Sequence, residues 1–282
     1  MSSFNELSRR FPGKRAFITG AGSGLGLEMA RALANDGWSL GLFDVDLSRL
    51  TTVEAELVNS GARVLAYPGD VTHPDELVVA VNSFAAVSGG MDMMINNAGV
   101  ACAGSLLETS LEDWRWIVDI NLLGVVNGCR AGVPHLQRAG HGILINISSA
   151  ASFVAAPFMT PYNATKAAVV AISESLAAEL EASGVQVSVA MPGFMQTELL
   201  TTGRGPERER RIAEHLMKNT NYTATACAHD ILVSAGNREL YIVLPKTMRR
   251  VWLFKRWFPN IFVRKFPHLR ERFSSKIKRD AS

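Results

Sequence analysis

The chain alternates short apolar runs with longer amphipathic or alanine-rich segments, and this alternation limits the folds open to it. Short apolar runs bounded by glycine, proline or polar residues are typical of buried strands, and the longer segments are typical of helices. A regular β-α order predicts a parallel sheet with helices on both faces, in a doubly wound α/β arrangement. The runs that fit strands are RAFITG, SLGLFD, RVLAYPGD, MDMMINNAG, GILINISS, VQVSVAMPG and LYIVL.

The segments between these runs set the domain organisation. Helices are predicted over residues 24–36, 47–60, 74–88, 111–138 and 161–183. Residues 194–222 depart from the alternation of strands and helices. This departure predicts a loop and short helix, inserted after the sixth strand as a substrate lid. With 282 residues, of which 48% are apolar, the chain can bury one large core. We predict a single domain over residues 1–245 and a C-terminal extension over residues 246–282.

Cysteine and histidine usage bears on compartment and metal binding. The three cysteines, Cys102, Cys129 and Cys227, are widely spaced and fit neither a disulfide framework nor a zinc ribbon. The six histidines show no paired ligand spacing, so no metal site is predicted. The N-terminal residues lack the apolar centre of a signal peptide, and no apolar run reaches about 18 residues. These features predict a cytoplasmic protein.

A glycine-rich stretch, FITGAGSGLG, joins the first predicted strand to the first predicted helix. Glycines at 20, 24 and 26 permit a tight turn and close approach of the backbone to a pyrophosphate. The N-terminus of the following helix stabilises the negative charge of the phosphates. This position between a strand and a helix predicts a dinucleotide site in a Rossmann-like fold. Its predicted contacts are Gly20, Ser23, Gly24, Leu25 and Gly26.

Asp44 ends the second predicted strand. A carboxylate at this point can accept hydrogen bonds from both hydroxyls of an adenosine ribose and would repel a 2′-phosphate. Val45 follows, where an NADP-binding protein would benefit from Arg or Lys. Asp44 could instead cap the helix that starts at Leu47, but Asp46 fits that role better. The sequence therefore favours NAD over NADP.

The stretch TPYNATKAAVV, residues 160–170, places a tyrosine four residues before a lysine. Thr160 and Pro161 predict the start of a helix, with Thr160 as the cap. Positions i and i+4 share a helix face, so the phenol of Tyr162 and the ammonium group of Lys166 are predicted to lie together. A nearby cation lowers the pKa of a phenol, which makes Tyr162 a candidate general acid and base. The alternative is an ordinary half-buried tyrosine beside a solvated lysine.

With these features the chain resembles the short-chain dehydrogenase/reductase family, in the branch with single-domain subunits. The resemblance covers roughly residues 12–245. It is carried by TGAGSGLG, GDVT at 69–72, NNAG at 96–99, INISS at 145–149, YNATK at 162–166 and PGFMQT at 192–197. It implies hydride transfer between NAD(H) and an alcohol or ketone. A 3-oxoacyl thioester reductase and a non-catalytic nucleotide-sensing scaffold are the alternatives.

The resemblance also implies roles for individual residues. Ser149 would hydrogen-bond the substrate oxygen, with Ser148 as the less favoured candidate for this role. Lys166 would hold the nicotinamide ribose, and Asn121 would hold a water that relays protons to the lysine. The implied catalytic set is therefore Asn121, Ser149, Tyr162 and Lys166. Further cofactor contacts are implied for Asp70, Val71, Asn97, Ala98, Gly99, Pro192, Gly193 and Thr197.

Bulky apolar residues follow Ser149 and recur in the predicted lid. The segment AASFVAAPFMT, residues 150–160, contains no charged residue. Such a pocket favours an apolar ketone or secondary alcohol. The alternative is that these residues pack against each other or against a neighbouring subunit. The candidates are Phe153, Phe158, Met159, Phe194, Met195 and Leu199.

The C-terminal extension is strongly basic. From Lys246 to Ser282 there are 12 Lys/Arg against Glu271 and Asp280, a net of +10. The whole chain carries +3, so residues 1–245 carry −7. Aromatic residues interleave with the basic ones, and we favour the interpretation that they form a helix docked on its own domain or on a partner subunit. An anionic membrane surface contacted peripherally, an acidic protein groove and nucleic acid are alternatives, although no nucleic-acid motif is present.

Self-association is also predicted. The helices over residues 111–138 and 161–183 would form a homodimer, and a homotetramer is the alternative.

Overall fold

Seven parallel strands form one sheet in the computed structural model, which describes residues 4–195, 203–208 and 220–264. Their spatial order is β3-β2-β1-β4-β5-β6-β7, and every neighbouring pair is parallel. The predicted doubly wound α/β fold and all the predicted strands are confirmed. The strands are β1 Arg15–Thr19, β2 Ser39–Asp44, β3 Val64–Pro68, β4 Met93–Asn96, β5 Gly142–Ile147, β6 Val185–Pro192 and β7 Tyr241–Leu244.

The helices cover both faces of the sheet and match the predicted segments closely. A π-helical turn, Asp119–Leu123, interrupts the predicted helix over residues 111–138, and a 3-10 turn, Glu181–Ser183, follows α8. The sequence did not predict α1, α7 or α9. The helices are α1 Asn5–Arg10, α2 Gly24–Asn35, α3 Leu47–Asn59, α4 Pro74–Ser88, α5 Leu111–Val118, α6 Gly124–Arg138, α7 Ala151–Val154, α8 Thr160–Glu179, α9 Ala224–Gly236 and α10 Met248–Trp257. Residues 259–264 are helical as well.

The strands read as continuous apolar runs because both faces of the sheet are buried. Alternate residues point to opposite faces. Ile18 and Ile95 belong to the core beneath α1, α2 and α9, whereas Phe17 and Met94 belong to the core beneath α4, α6 and α8. None of these four side chains is exposed. Burying each contributes about 1.5–3 kcal/mol.

The sheet order reverses between β1 and β4. From β1 the chain runs outward to β2 and β3, then crosses back to β4 on the other side of β1. The loops at the carboxyl ends of β1 and β4 therefore diverge and leave a crevice, which is where open α/β sheets bind ligands. Within the described ranges, no helix is both long enough and apolar enough to cross a bilayer.

A buried ion pair closes the opposite, amino-terminal edge of the sheet. The fully buried Asp92 carboxylate accepts hydrogen bonds from Arg15 Nε at 2.8 Å and Nη2 at 2.9 Å. Because Asp92→Ala removes charge-assisted hydrogen bonds from the partly buried Arg15, it should lower the free energy of unfolding by about 1.5–3 kcal/mol in urea titrations. Glu6→Ala breaks the exposed Arg9–Glu6 pair and should cost less than about 1 kcal/mol. Equal losses in the two variants would contradict this assignment.

Candidate active site

The glycine-rich turn after β1 is packed too closely for side chains at two positions. Gly20 has φ +63°, and a Cβ on Gly26 would lie 2.1 Å from Gly20 O. Asn97, after β4, fixes the turn because its Nδ2 donates to Thr19 O at 3.0 Å and to Gly20 O at 2.9 Å. Thr19 Oγ1 accepts the N–H groups of Asn97 and Ala98 at 3.0 and 3.1 Å. Sequence reasoning missed Thr19, although it stands directly before the first glycine of the motif.

The start of α2 faces the same crevice. Ser23 occupies the N-cap position, and its side chain makes no capping hydrogen bond. The N–H groups of the first helical turn therefore remain available to a phosphate. Ser23 and Gly24 are half-buried, whereas Leu25 is buried in the core and can contribute only its backbone.

Asp44 lies at the end of β2 and faces the glycine turn. Its Oδ2 accepts the N–H of Gly22 at 2.8 Å, and its Oδ1 accepts the N–H of Asp46 at 3.0 Å. Each carboxylate oxygen keeps a lone pair for a ribose hydroxyl. Asp46, as predicted, caps α3 by accepting from the N–H groups of Ser48 and Arg49. Gly22 was missed, and a Cβ there would lie 2.9 Å from Asp44 Oδ2.

Asp70 and Val71 lie in the loop after β3, at the same edge of the sheet. Asp70 Oδ1 accepts the N–H of Thr72 at 2.9 Å. The Val71 side chain is buried against Gly124, where a Cβ would lie 2.8 Å from Val71 Cγ2, and its carbonyl accepts Asn127 Nδ2 at 2.9 Å. These contacts fix the loop that carries two of the implied cofactor contacts, Asp70 and Val71.

Tyr162 and Lys166 share one buried face of α8, as their spacing predicted. Lys166 Nζ lies 5.8 Å from the centroid of the Tyr162 ring and donates to Ile147 O at 3.0 Å. The helix begins at Thr160 with Met159 in the cap position, so Thr160 is not the cap that the sequence predicted. The two side chains therefore face each other inside the protein rather than in solvent.

The protonation of this pair differs from the sequence-based expectation. Burial raises the pKa of the Tyr162 phenol, and a hydrogen bond with Ser149 opposes the shift. Burial also lowers the pKa of Lys166 to about 8. The predicted lowering of the phenol's pKa is therefore not seen in the protein alone, because burial disfavours the charged phenolate.

Adjacent serines at the end of β5 have different contacts. Ser149 is half-buried and hydrogen-bonds Tyr162; its Oγ also donates to Pro192 O at 3.4 Å. Ser148 is buried and donates to Lys166 O at 2.7 Å. Ser149 therefore faces the tyrosine, whereas Ser148 ties β5 to α8. Pro192 ends β6 beside Ser149, and the next residue, Gly193, donates to Leu244 O at 2.7 Å.

Asn121 is brought inward by the π-helical turn. Its Oδ1 accepts the N–H of Val100 at 2.8 Å, and its Nδ2 donates to Val100 O at 2.8 Å. A Cβ on Gly99 would lie 3.2 Å from Asn121 Oδ1 and 3.3 Å from Lys166 Nζ. The amide and the ammonium group therefore flank Gly99. Because both side-chain groups of Asn121 already bond Val100, Asn121 first of all positions the segment after β4.

The predicted substrate residues do not form one wall. Met159 packs near Tyr162 with Cys102 and Ile117. Phe153 instead is buried with Met191 and Val243, in a different cluster from the one that contains Tyr162. An apolar run does not reveal which side of a short helix meets the core, so this placement could not be predicted from the sequence.

The other predicted site residues lie outside the cluster around Tyr162 or outside the described part of the chain. Phe158 and Phe194 are exposed, and Met195 packs against the core beneath α2 and α9. Thr197 and Leu199 lie outside the described residues. In the part of the chain that is described, no group of three or more His, Cys, Asp or Glu side chains is arranged to hold a metal ion.

Arg204 is a further residue near the site that sequence reasoning missed. Its N–H donates to Ala101 O at 3.1 Å and its carbonyl accepts Ala103 N at 3.0 Å. Its guanidinium lies 4.4 Å from the centroid of the Trp116 ring and donates to Asp113 at 3.2 Å. These contacts join residue 204 to the segment that packs on Tyr162. No local sequence signal indicates them.

Comparison with known proteins gives relatives whose names describe dehydrogenases, reductases or oxidoreductases. The chain is 35% identical over 195 residues to a CLA biosynthesis dehydrogenase/reductase of Lactiplantibacillus plantarum, covering 68% of each chain. It is 34% identical to a D-beta-hydroxybutyrate dehydrogenase of Rhizobium meliloti, covering 73% of this chain and 83% of the relative. A 3-alpha-(or 20-beta)-hydroxysteroid dehydrogenase of Mycobacterium bovis is 34% identical, with 68% and 73% covered. The match to the probable oxidoreductase EphD of Mycobacterium tuberculosis spans 31% of that longer protein.

Solved structures agree with this grouping. A short chain dehydrogenase/reductase from Burkholderia phymatum in complex with NAD superposes with a TM-score of 0.84 at 27% identity, covering 89% of this chain and 96% of the other. A short-chain dehydrogenase from Sphingobium yanoikuyae in complex with NADPH gives a TM-score of 0.73 at 28% identity, covering 89% and 93%. The family model described as short chain dehydrogenase matches residues 14–209. With its glycine turn and its Ser149, Tyr162 and Lys166 cluster, the chain belongs to the short-chain dehydrogenase family of oxidoreductases.

Proposed function

We propose that the protein transfers a hydride between NAD(H) and an apolar secondary alcohol or ketone, with Tyr162 as general acid and base. The observation that carries this proposal is the buried Tyr162 phenol, which is hydrogen-bonded to Ser149. Lys166 Nζ lies over its ring, 5.8 Å from the centroid. A buried ammonium group with a displaced pKa is costly for folding, and such groups concentrate at catalytic sites.

Ser149 and Tyr162 hold the substrate oxygen between their hydroxyl groups. In reduction, Tyr162 donates its phenolic proton to the carbonyl oxygen as the hydride reaches the carbonyl carbon. In oxidation, the Tyr162 phenolate removes the hydroxyl proton while the hydride leaves the same carbon. The dinucleotide, when bound, accepts or donates the hydride, and its oxidised nicotinamide ring adds a second cation to the site.

Lys166 stabilises the phenolate and restores its proton. Its pKa of about 8 lies close enough to neutrality for the amine to lose and regain a proton during turnover. Asn121 Oδ1 and Lys166 Nζ border the same side of Gly99, and Asn121 Oδ1 retains a second lone pair. This places an acceptor for a bridging water next to the lysine, in line with the relay role implied by the family resemblance.

Asp44 supports NAD as the preferred dinucleotide. The carboxylate is fixed against the glycine turn, where a 2′-phosphate would meet a like charge. Val45 beside it is exposed and offers no cation. Relatives of known structure bind NAD in one case and NADPH in another, so the preference rests on these two residues.

The NAD preference predicts a specific affinity change. Asp44→Ala should weaken NADH binding by roughly 10- to 100-fold, because it removes charge-assisted hydrogen bonds of about 1.5–3 kcal/mol, and should reduce the preference for NADH over NADPH. Fluorescence titration of both dinucleotides measures this. Asp46→Ala is the matched control: it removes the α3 cap at a cost of about 1 kcal/mol in stability and should leave NADH affinity unchanged. A wild-type protein that binds NADPH more tightly would refute the assignment.

The substrate class is supported by the surroundings of Tyr162. Cys102, Ile117 and Met159 pack on it, and burial raises the pKa of the Cys102 thiol to about 11, which keeps that group neutral. A neutral, apolar lining favours an apolar substrate. The similarity to a hydroxysteroid dehydrogenase supports the same class.

A panel of substrates followed by NADH absorbance tests the proposed function. For apolar ketones of increasing length, kcat/KM should rise roughly fourfold per methylene, which corresponds to about 0.8 kcal/mol. Charged 3-hydroxybutyrate and a 3-oxoacyl thioester should be poorer substrates. Higher kcat/KM for either would favour the corresponding alternative activity. NADH binding without turnover of any substrate would favour the scaffold.

A further inference from the structure

The C-terminal helix α10 has two apolar faces, and only one of them is covered. Met248, Val251 and Trp252 pack on the cluster that contains Phe153, Met191 and Val243. The predicted docking of the tail on its own domain is therefore confirmed for this face. Leu253 and Trp257, one turn apart, lie on the opposite face, and Trp257 is 74% exposed.

The exposed face continues beyond the end of α10. Phe258, Ile261 and Val263 are 52%, 46% and 57% exposed. We call the set Arg249, Arg250, Leu253, Trp257, Phe258, Ile261 and Val263 the tail face. Several large apolar side chains exposed side by side indicate a binding surface, whereas scattered single ones do not.

The charge around the tail face is of one sign. Between Lys246 and Arg264 the sequence has six Lys/Arg and no Asp or Glu. Arg249, Arg250 and Arg256 are exposed, so their charges lie at the edge of the apolar residues. The rest of the molecule is acidic, since residues 1–245 carry a net charge of −7.

We propose that the tail face binds a lipid surface that carries anionic headgroups. Exposed Trp and Phe flanked by Arg and Lys are the composition of helices that lie in the membrane interface, where the rings enter the acyl boundary and the cations meet headgroups. A second copy docked face to face would oppose one set of cations with another, which is unfavourable. Leu253, Ile261 and Val263 suit an acyl layer, whereas only Trp257 and Phe258 of the tail face could stack on nucleic-acid bases.

The covered face of α10 fixes the tail face relative to the catalytic cluster. A Cβ on Gly193 would lie 3.6 Å from Met248 Cγ, and Trp252 packs with Phe153 of α7, the helix that follows Ser149. Binding through the tail face would therefore hold the substrate side of the protein near the bilayer. This proposal depends on the tail face alone and does not depend on the proposed catalytic activity.

Vesicle binding by the full chain tests the proposal. We expect co-sedimentation with vesicles of phosphatidylcholine and phosphatidylglycerol, weaker binding as salt increases, and little binding to phosphatidylcholine alone. The double variant Leu253→Ser, Trp257→Ala should bind at least roughly tenfold more weakly. Leu107→Ser is the matched control: Leu107 is 95% exposed in the loop between β4 and α5, outside the tail face, and its replacement should change nothing.

A second pair of variants separates charge from apolar contact. Arg250→Glu should weaken vesicle binding by roughly tenfold or more, because about 1 kcal/mol is lost for each unit of charge removed near the surface. Arg63→Glu changes an exposed arginine at the other end of the sheet and should leave binding intact. Circular dichroism reports folding for each variant. If the Leu253→Ser, Trp257→Ala variant does not fold, the comparison of Arg250→Glu with Arg63→Glu tests the proposal instead.

Three results would overturn the proposal. The first is no sedimentation with phosphatidylglycerol vesicles at low salt, and the second is equal binding to both vesicle types. The third is a wild-type dimer, shown by light scattering, that becomes a monomer in the Leu253→Ser, Trp257→Ala variant while vesicle binding is unchanged. That last result would make the tail face a self-association surface.

Discussion

Replacing Tyr162 with phenylalanine is expected to lower kcat by roughly 10²- to 10⁴-fold while NADH affinity stays nearly unchanged. The substitution removes only the hydroxyl, and the ring remains packed with Cys102 and Ile117. Without the hydroxyl no group at this position can transfer the substrate proton. Steady-state kinetics with NADH, together with an NADH binding titration, measures the two quantities separately.

Tyr67→Phe is the matched control for this prediction. It removes the same hydroxyl from a tyrosine in β3 whose oxygen contacts Ser83 at 3.4 Å, outside the catalytic cluster. Its kcat should equal that of the wild type. If Tyr162→Phe keeps wild-type turnover, the proposed proton transfer is wrong even though the family assignment stands.

Lys166→Met is the second substitution with a large expected effect, and activity and stability should move independently. Turnover should fall by roughly 10²-fold or more, because the phenolate loses its cationic neighbour. The free energy of unfolding at neutral pH should stay equal or rise. Lys166 is 4% exposed with one hydrogen bond to a carbonyl, and an apolar side chain of similar length fits a desolvated site better.

The pH dependence of the free energy of unfolding tests whether burial of the Lys166 charge costs stability. Burial lowers the pKa of Lys166 from 10.5 to about 8, so between these values the unfolded chain holds a proton that the folded protein has lost. The wild-type protein should therefore gain stability as pH rises through this window, and the cost of burying the charge is fully present below it. Lys166→Met should lose that gain, whereas Lys246→Met, at an exposed lysine, should keep it. A marked destabilisation by Lys166→Met at neutral pH would contradict the assignment.

The fold was predictable where local sequence and tertiary burial agree. The apolar runs around Phe17 and Met94 identified strands because both faces of the sheet are covered. Helix α1 was missed because its sequence, NELSRR, is mostly polar. The spacing of Phe4, Leu7 and Phe11, all buried against the core, was the signal that could have identified it.

The candidate site also has features that the sequence predicted and features that it did not. The glycine turn and the Tyr162–Lys166 pair follow from spacing within one turn or one helix, and Asp44 follows from its place at the end of the second predicted strand, so the sequence contains them. Three features depend on contacts between distant segments and could not be predicted. These are the burial that raises the pKa of Tyr162, the engagement of Asn121 with Val100, and the core position of Phe153.

Titration of the Tyr162 phenol tests the central claim most directly. The near-ultraviolet phenolate signal of the wild type minus that of Tyr162→Phe isolates this group from the other tyrosines. In the protein alone its pKa should lie above 10, the ordinary value, because the phenol is buried. On NAD⁺ binding the pKa should fall, and it should fall less in Lys166→Met, because two cations then act on the phenolate in the wild type and one in the variant. A phenol whose pKa does not move on NAD⁺ binding, or rises further, would contradict the account.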